Sequence, residues 1–161
     1  MNLLATAPNW LALCLAALLI AAAIEDAVRM RISNVLCLGV FAGAIVAMIV
    51  GGFDVALWQN VLLFAALLGV GTLLFGIGKM GGGDVKLLAS VGLWCSLKTA
   101  LTLLPAVFIT GGLLALLILA ARTIAPKGAG ARVIVLKPGS GIPYGIAIAA
   151  GSLITLALSR G

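Results

Sequence analysis

Six stretches of the chain are almost purely apolar, at residues 9–25, 33–50, 55–77, 85–97, 99–121 and 141–158, separated by breaks that carry Gly, Pro or charge. Runs of this length and polarity predict membrane-spanning helices, and six is the expected number. The fourth is short for a full crossing at about 1.5 Å per residue, unless it tilts little, reaches into its flanking loop or lines a cavity. The longest polar break, Arg122 to Gly141, mixes Gly, Pro and Lys with a β-like run, Val133 to Leu136, and is expected to form a loop or hairpin.

Composition agrees with this pattern. The chain is 64% hydrophobic and 9% charged, with a mean hydropathy of +1.34, a balance that a soluble domain of this length could not keep off its surface. An all-α, polytopic membrane bundle is therefore expected, with residues 1–161 as one domain. Met1 to Trp10 lacks Lys and Arg, so the first helix does not resemble a cleavable signal and is expected to persist.

Charge gives the bundle a direction. Arg29, Arg31, Lys79, Lys86, Arg122, Lys127, Arg132 and Lys137 fall in breaks on one side of a six-span alternation, leaving Lys98 and Arg160 on the other. Basic residues collect on cytoplasmic loops, so the expected arrangement has both chain ends outside. The net charge of +6 is spread singly beside spans, which points to anionic lipid headgroups and away from nucleic acid. Cys14, Cys37 and Cys95 are widely spaced and the chain has no His. Zinc and disulfide frameworks are disfavoured, and the thiols are expected to behave as small hydrophobes.

Only four residues are acidic. Asp84 follows Gly81-Gly82-Gly83, and Asp26 closes the first apolar stretch, both on the expected cytoplasmic side. A charged side chain at membrane depth costs roughly 2.5–3.5 kcal/mol on insertion scales, which makes these two acids functional candidates. Two carboxyl groups that share a proton can perform aspartic-protease chemistry without metal or cofactor: one, ionised, activates water, and the other, neutral, donates a hydrogen bond to the carbonyl.

Structural explanations compete at each position. Asp84 suits an N-cap, and Asp26 could pair with Arg29 three residues on, as Glu25 could at four. Glu25 reads as a solvated helix-end charge and Asp54 as a cap for the third span. Lys79 and Lys86 read as headgroup anchors, Gly69 and Gly71 as close-packing positions, and Pro105 as a kink. Gly81 to Gly83 is either an interhelical turn or a place where another backbone comes close. A cation-coupled transporter using the same acids, or a structural subunit of a pilus or secretion assembly, would also fit the composition.

The residues resemble the type IV prepilin peptidases, membrane aspartic proteases with a Gly-x-Gly-Asp motif. Asp84 stands in Gly81-Gly82-Gly83-Asp84 with Lys86 two places on. Asp26 stands at the first catalytic position, followed by Arg31, Ile32 and Asn34 of an Arg-Ile-Pro-Asn-like stretch, and Pro143-Tyr144-Gly145 resembles the start of the family's last span. The resemblance implies Asp26 and Asp84 as catalytic residues, with Gly81, Gly83, Lys86, Arg31 and Asn34 in support.

It also implies removal of a short basic leader from prepilin-like membrane substrates at the cytoplasmic face of a bacterial inner membrane, with no metal or cofactor. The chain resembles the short, peptidase-only form associated with tight-adherence (Flp) pili, without the cysteine-rich insertion of bifunctional relatives. Ser33 stands where the family usually has Pro and is expected to loosen the start of the second span. A basic leader meeting a basic protein face would need compensation from Glu25 or from anionic lipids.

Overall fold

The computed structural model describes residues 1–124 and 141–161; Lys127, Arg132, Lys137 and the 133–136 run lie outside them. The described residues form seven helices and no strand: α1 (Leu3–Thr6), α2 (Asn9–Arg29), α3 (Asn34–Gly51), α4 (Leu57–Gly76), α5 (Gly82–Gly92), α6 (Leu97–Ile124) and α7 (Tyr144–Arg160). Helices α2, α3, α4 and α6 are long and apolar enough to cross a bilayer, and α7 falls just short of them in length. The protein is a helical membrane bundle. The single-turn α1 is an element that the hydropathy pattern did not predict.

Helix α5 lies at the centre, packed against α3, α4 and α7. Leu87, Ala89 and Val91 on it are fully buried. Helix α2 lies between α3 and α7, and α6 packs on α7. The outer faces of α4 and α6 expose Val61, Leu62, Leu73, Leu101, Ile109 and Leu116, as lipid contact requires.

The fourth apolar window is shifted from its expected bounds. The helix begins at Gly82 and ends at Gly92, so two of the three glycines form its first turn. Its 11 residues extend about 16 Å, roughly half the hydrocarbon thickness. The apolar run continues because Leu93, Trp94 and Cys95 form a buried turn held by Trp94 N–H to Val91 O (2.9 Å) and Cys95 N–H to Gly92 O (3.0 Å). The indole of Trp94 donates to Val40 O at 3.0 Å and lies against Gly43. Ser96 then opens α6 by accepting the Thr99 N–H. Hydropathy alone does not separate a buried turn from a helix.

The six longer helices alternate between two ends. At one end Asn60 donates to Met1 O and Leu93 O, each at 3.0 Å. There Arg160 donates to Leu4 O, Ala7 O and Asn9 Oδ1 at 2.7–2.8 Å. At the opposite end lie the α2–α3 turn, the start of α5 and the start of α7. Arg29, Arg31, Lys79, Lys86 and Arg122 accompany that end, while Lys98 accompanies Arg160.

Several local expectations change in the structure. The partner of Arg29 is Glu25, at 3.4 Å; Asp26 turns inward. Asp54 accepts the Ala56 N–H at 3.0 Å, shaping the turn ahead of α4. A methyl group on Gly71 would meet Val85 at 2.6 Å, but one on Gly69 would meet nothing within 4 Å, so only the first is a close-packing position in this fold. Helix α6 runs through Pro105 as one element. Cys37 and Cys95 are buried as expected, whereas Cys14 is on the exposed face of α2.

Candidate active site

Asp26 lies one turn before the end of α2. Met30 closes that helix in the left-handed conformation (φ 53°, ψ 35°), its N–H returning to Asp26 O at 2.8 Å. The reversal sends Arg31 to Ser33 back toward the bundle. Ser33 caps α3: its N–H donates to Glu25 Oε2 at 2.9 Å, and its hydroxyl oxygen faces the Leu36 N–H at 3.5 Å. Ser33 therefore ties down the start of α3 where a loosening was expected, and it does so with a backbone donor that Pro would lack.

The Asp26 side chain is 4% exposed. Its Oδ2 accepts the main-chain N–H of Gly145 at 2.7 Å, while the next amide, Ile146 N–H, donates to Pro143 O at 3.3 Å. The Gly145 amide belongs to the first turn of α7, where its N–H has no backbone acceptor within the helix and the helix dipole favours an anion. A methyl group on Gly145 would lie 2.6 Å from Ile32 Cδ1 and 2.8 Å from Asp26 Oδ2.

Asp84 is the third residue of α5, behind Gly81 at the N-cap. It is not the cap itself. Its carboxylate folds back over Gly81, whose amide interacts with it, and a methyl group on Gly81 would lie 2.8 Å from Oδ2. This is the reach of an N3 side chain to its N-cap. Asp84 is 9% exposed, and the residue before it, Gly83, packs against Ile32, which also packs against Gly145 beside Asp26. The structure thus brings the two acids together at one end of the bundle, each against a glycine at the start of a helix.

Ile32 is the pillar between them. Its side chain meets Gly145, while its Cβ and carbonyl O lie 3.0 and 3.1 Å from where a Gly83 methyl would stand. Cys37 Sγ approaches Gly83 O at 3.6 Å. Further along, Lys86 Nζ donates to Asn34 Oδ1 at 2.9 Å. Lys86 therefore bridges two helices instead of standing only as a headgroup anchor. Arg31 is exposed at the same end.

Residues 13–119 match the model of the type IV leader peptidase family. The chain belongs to the type IV leader peptidase family. The matched stretch contains both Asp26 and Asp84 and ends before α7, so the Gly145 contact lies beyond it. No curated protein and no solved structure matches the chain.

In this leader peptidase family member an apolar cleft of about 420 Å³ opens between α4, α5, α6 and α7, and neither Asp26 nor Asp84 lines it. Lys79, Met80, Leu88, Val107, Gly111 and Tyr144 line it. Met80 directly precedes Gly81, and Tyr144 directly precedes Gly145, so the cleft reaches the two turns against which Asp84 and Asp26 are packed. Among the described residues no group of three His, Cys, Asp or Glu side chains could hold a metal ion. Sequence reasoning assigned no role to Ile32 or Gly145; the available signal was a glycine directly after Pro-Tyr at the start of the last apolar run.

Proposed function

We propose that the protein is an aspartic endopeptidase of the cytoplasmic membrane that removes the short basic leader of Flp-type prepilins, with Asp26 and Asp84 as its catalytic pair. Residues 1–161 act as one transmembrane peptidase domain, with the chain ends outside and the acids toward the cytoplasm. The observation that carries this reading is that two buried carboxylates, on helices far apart in sequence, share one end of the bundle, with Ile32 packed against both Gly145, which holds Asp26, and Gly83, which precedes Asp84. The family match over both residues and the basic residues at that end support it.

In the proposed reaction one carboxylate takes a proton from water as the oxygen attacks the carbonyl carbon. The other carboxyl, protonated, hydrogen-bonds the carbonyl oxygen. Collapse of the tetrahedral intermediate breaks the C–N bond, and a proton passes to the departing amine. One base and one acid give a bell-shaped dependence of turnover on pH. The apolar cleft suits a substrate that remains in the bilayer and presents an extended leader segment at its mouth. Glu25 is engaged by Arg29 and Ser33, which leaves anionic lipid headgroups as the counter-charge for a basic leader.

Co-expression with a small prepilin carrying a basic leader tests the function. Wild-type protein is expected to shorten the prepilin by the mass of the leader. Asp26→Asn and Asp84→Asn should each abolish that loss while accumulating in the membrane at wild-type abundance. Full processing by either variant would remove the pair from the mechanism.

A further inference from the structure

Gly145 occupies a helical first turn without needing glycine's backbone freedom, because the positive-φ glycines among the described residues are Gly52 and Gly78. Alanine is the better helix former there. What glycine provides is space. A methyl group would meet Ile32 Cδ1 at 2.6 Å, Asp26 Oδ2 at 2.8 Å and Asp26 Cβ at 3.0 Å. The same residue supplies the 2.7 Å hydrogen bond to Asp26 Oδ2. Arg29, the nearest cation in sequence, is paired with Glu25, so the orientation of Asp26 is set from α7 and not by an ion pair.

We propose that Gly145 is a positioning residue for Asp26: its main-chain N–H fixes one carboxylate oxygen, and its missing side chain lets α7 come close enough to do so. The proposal rests on the peptidase reading for its catalytic meaning, but the contact can be tested without it. The last helix, outside the matched family region, then carries part of the catalytic geometry through its backbone. Displacing the carboxylate by the width of a methyl group would misplace the attacking water.

The test separates this role from simple packing by first removing Ile32 Cδ1. In the Ile32→Val background, adding Gly145→Ala no longer meets Ile32 Cδ1 and leaves the new methyl group against Asp26 Oδ2 and Cβ. Relative to Ile32→Val, the double variant is expected to lose about 10- to 100-fold in kcat on a synthetic prepilin in detergent, with KM within about twofold and the limbs of the pH profile displaced. Unchanged kcat and an unchanged profile would overturn the proposal, since glycine would then serve only to accommodate Ile32. Absence of leader cleavage by the Ile32→Val parent and by wild type would sink the peptidase reading instead. The contact is then read by thermal unfolding: Gly145→Ala should lower the melting midpoint of Ile32→Val more than that of Ile32→Val/Asp26→Ala, which keeps only the Cβ contact at 3.0 Å, and an equal drop in both would overturn it.

Discussion

Lys86 Nζ and Asn34 Oδ1 meet at 2.9 Å across 52 residues of sequence. The bond joins α5 to α3 close to the two acids, and it lies in register with the Ile32–Gly83 contact. Two sequence motifs that looked like separate signatures are thus one interlocked structure, in which the second motif's lysine holds the first motif's asparagine. Both side chains are exposed, so the bond's worth lies in alignment more than in bulk stability.

Asn34→Ala is expected to cost about 0.5–1 kcal/mol, the lower range for a charge-assisted hydrogen bond near the surface. Asn34→Asp offers Lys86 a charged acceptor and should equal or exceed wild type. Unfolding in detergent micelles reads the stability, and leader cleavage should fall only several-fold with Asn34→Ala. A complete loss of cleavage would give Asn34 a more direct role.

Ser33 has φ −70°, which proline can adopt, and proline there would restrict the unfolded chain by about 0.4–1 kcal/mol. It would also delete the N–H that Glu25 accepts. Ser33→Pro should therefore lower the melting midpoint of wild type more than that of a Glu25→Ala background, where only the Leu36 cap is lost. Equal shifts in both backgrounds would show that the Glu25 bond contributes nothing.

The glycines divide by what surrounds them. A methyl group on Gly151 would stand 2.6 Å from the Val107 backbone N, a contact relieved only by moving α6 from α7. Gly151→Ala is expected to cost about 1–3 kcal/mol, within the overpacking range. Gly69→Ala meets nothing within 4 Å and should be neutral or stabilising by up to about 1 kcal/mol. Reversible unfolding of the two variants side by side measures the contrast.

Membrane orientation follows from single-cysteine labelling. With Cys14, Cys37 and Cys95 replaced, Phe53→Cys, at a strongly exposed position in the α3–α4 turn, should react with an impermeant maleimide on intact cells. Arg31→Cys should react only after the membrane is opened. The opposite pattern would place the acids on the outer face.

Much of this architecture was visible as alternation between apolar runs and breaks, because membrane burial leaves a hydrophobic imprint on every residue of a span. The two acids were visible because charge is rare in such a chain. What the sequence concealed was backbone chemistry. The Gly145 amide that holds Asp26 leaves no mark in residue type, and the turn at Leu93 to Cys95 is as apolar as the helix before it. Glu25 and Asp26 are neighbours with similar chemistry, yet one is bound on the surface by Arg29 and the other enters the core. Only the rotation of α2 against α7 decides between them.

The brevity of α5 has a consequence for how a peptide reaches the acids. Val85 faces Gly71, and α4 continues past that level to Gly76, so Asp84 is recessed by roughly 6 Å, about one helical turn, from the rim that α4 defines. With the two acids as the proposed catalytic pair, a scissile bond would have to pass below that rim, and water would have to follow it. Thinner bilayers shorten that descent. Cleavage in vesicles is accordingly expected to quicken as acyl chains are shortened, and the surrounding lipid becomes a determinant of how readily the carboxylates are hydrated.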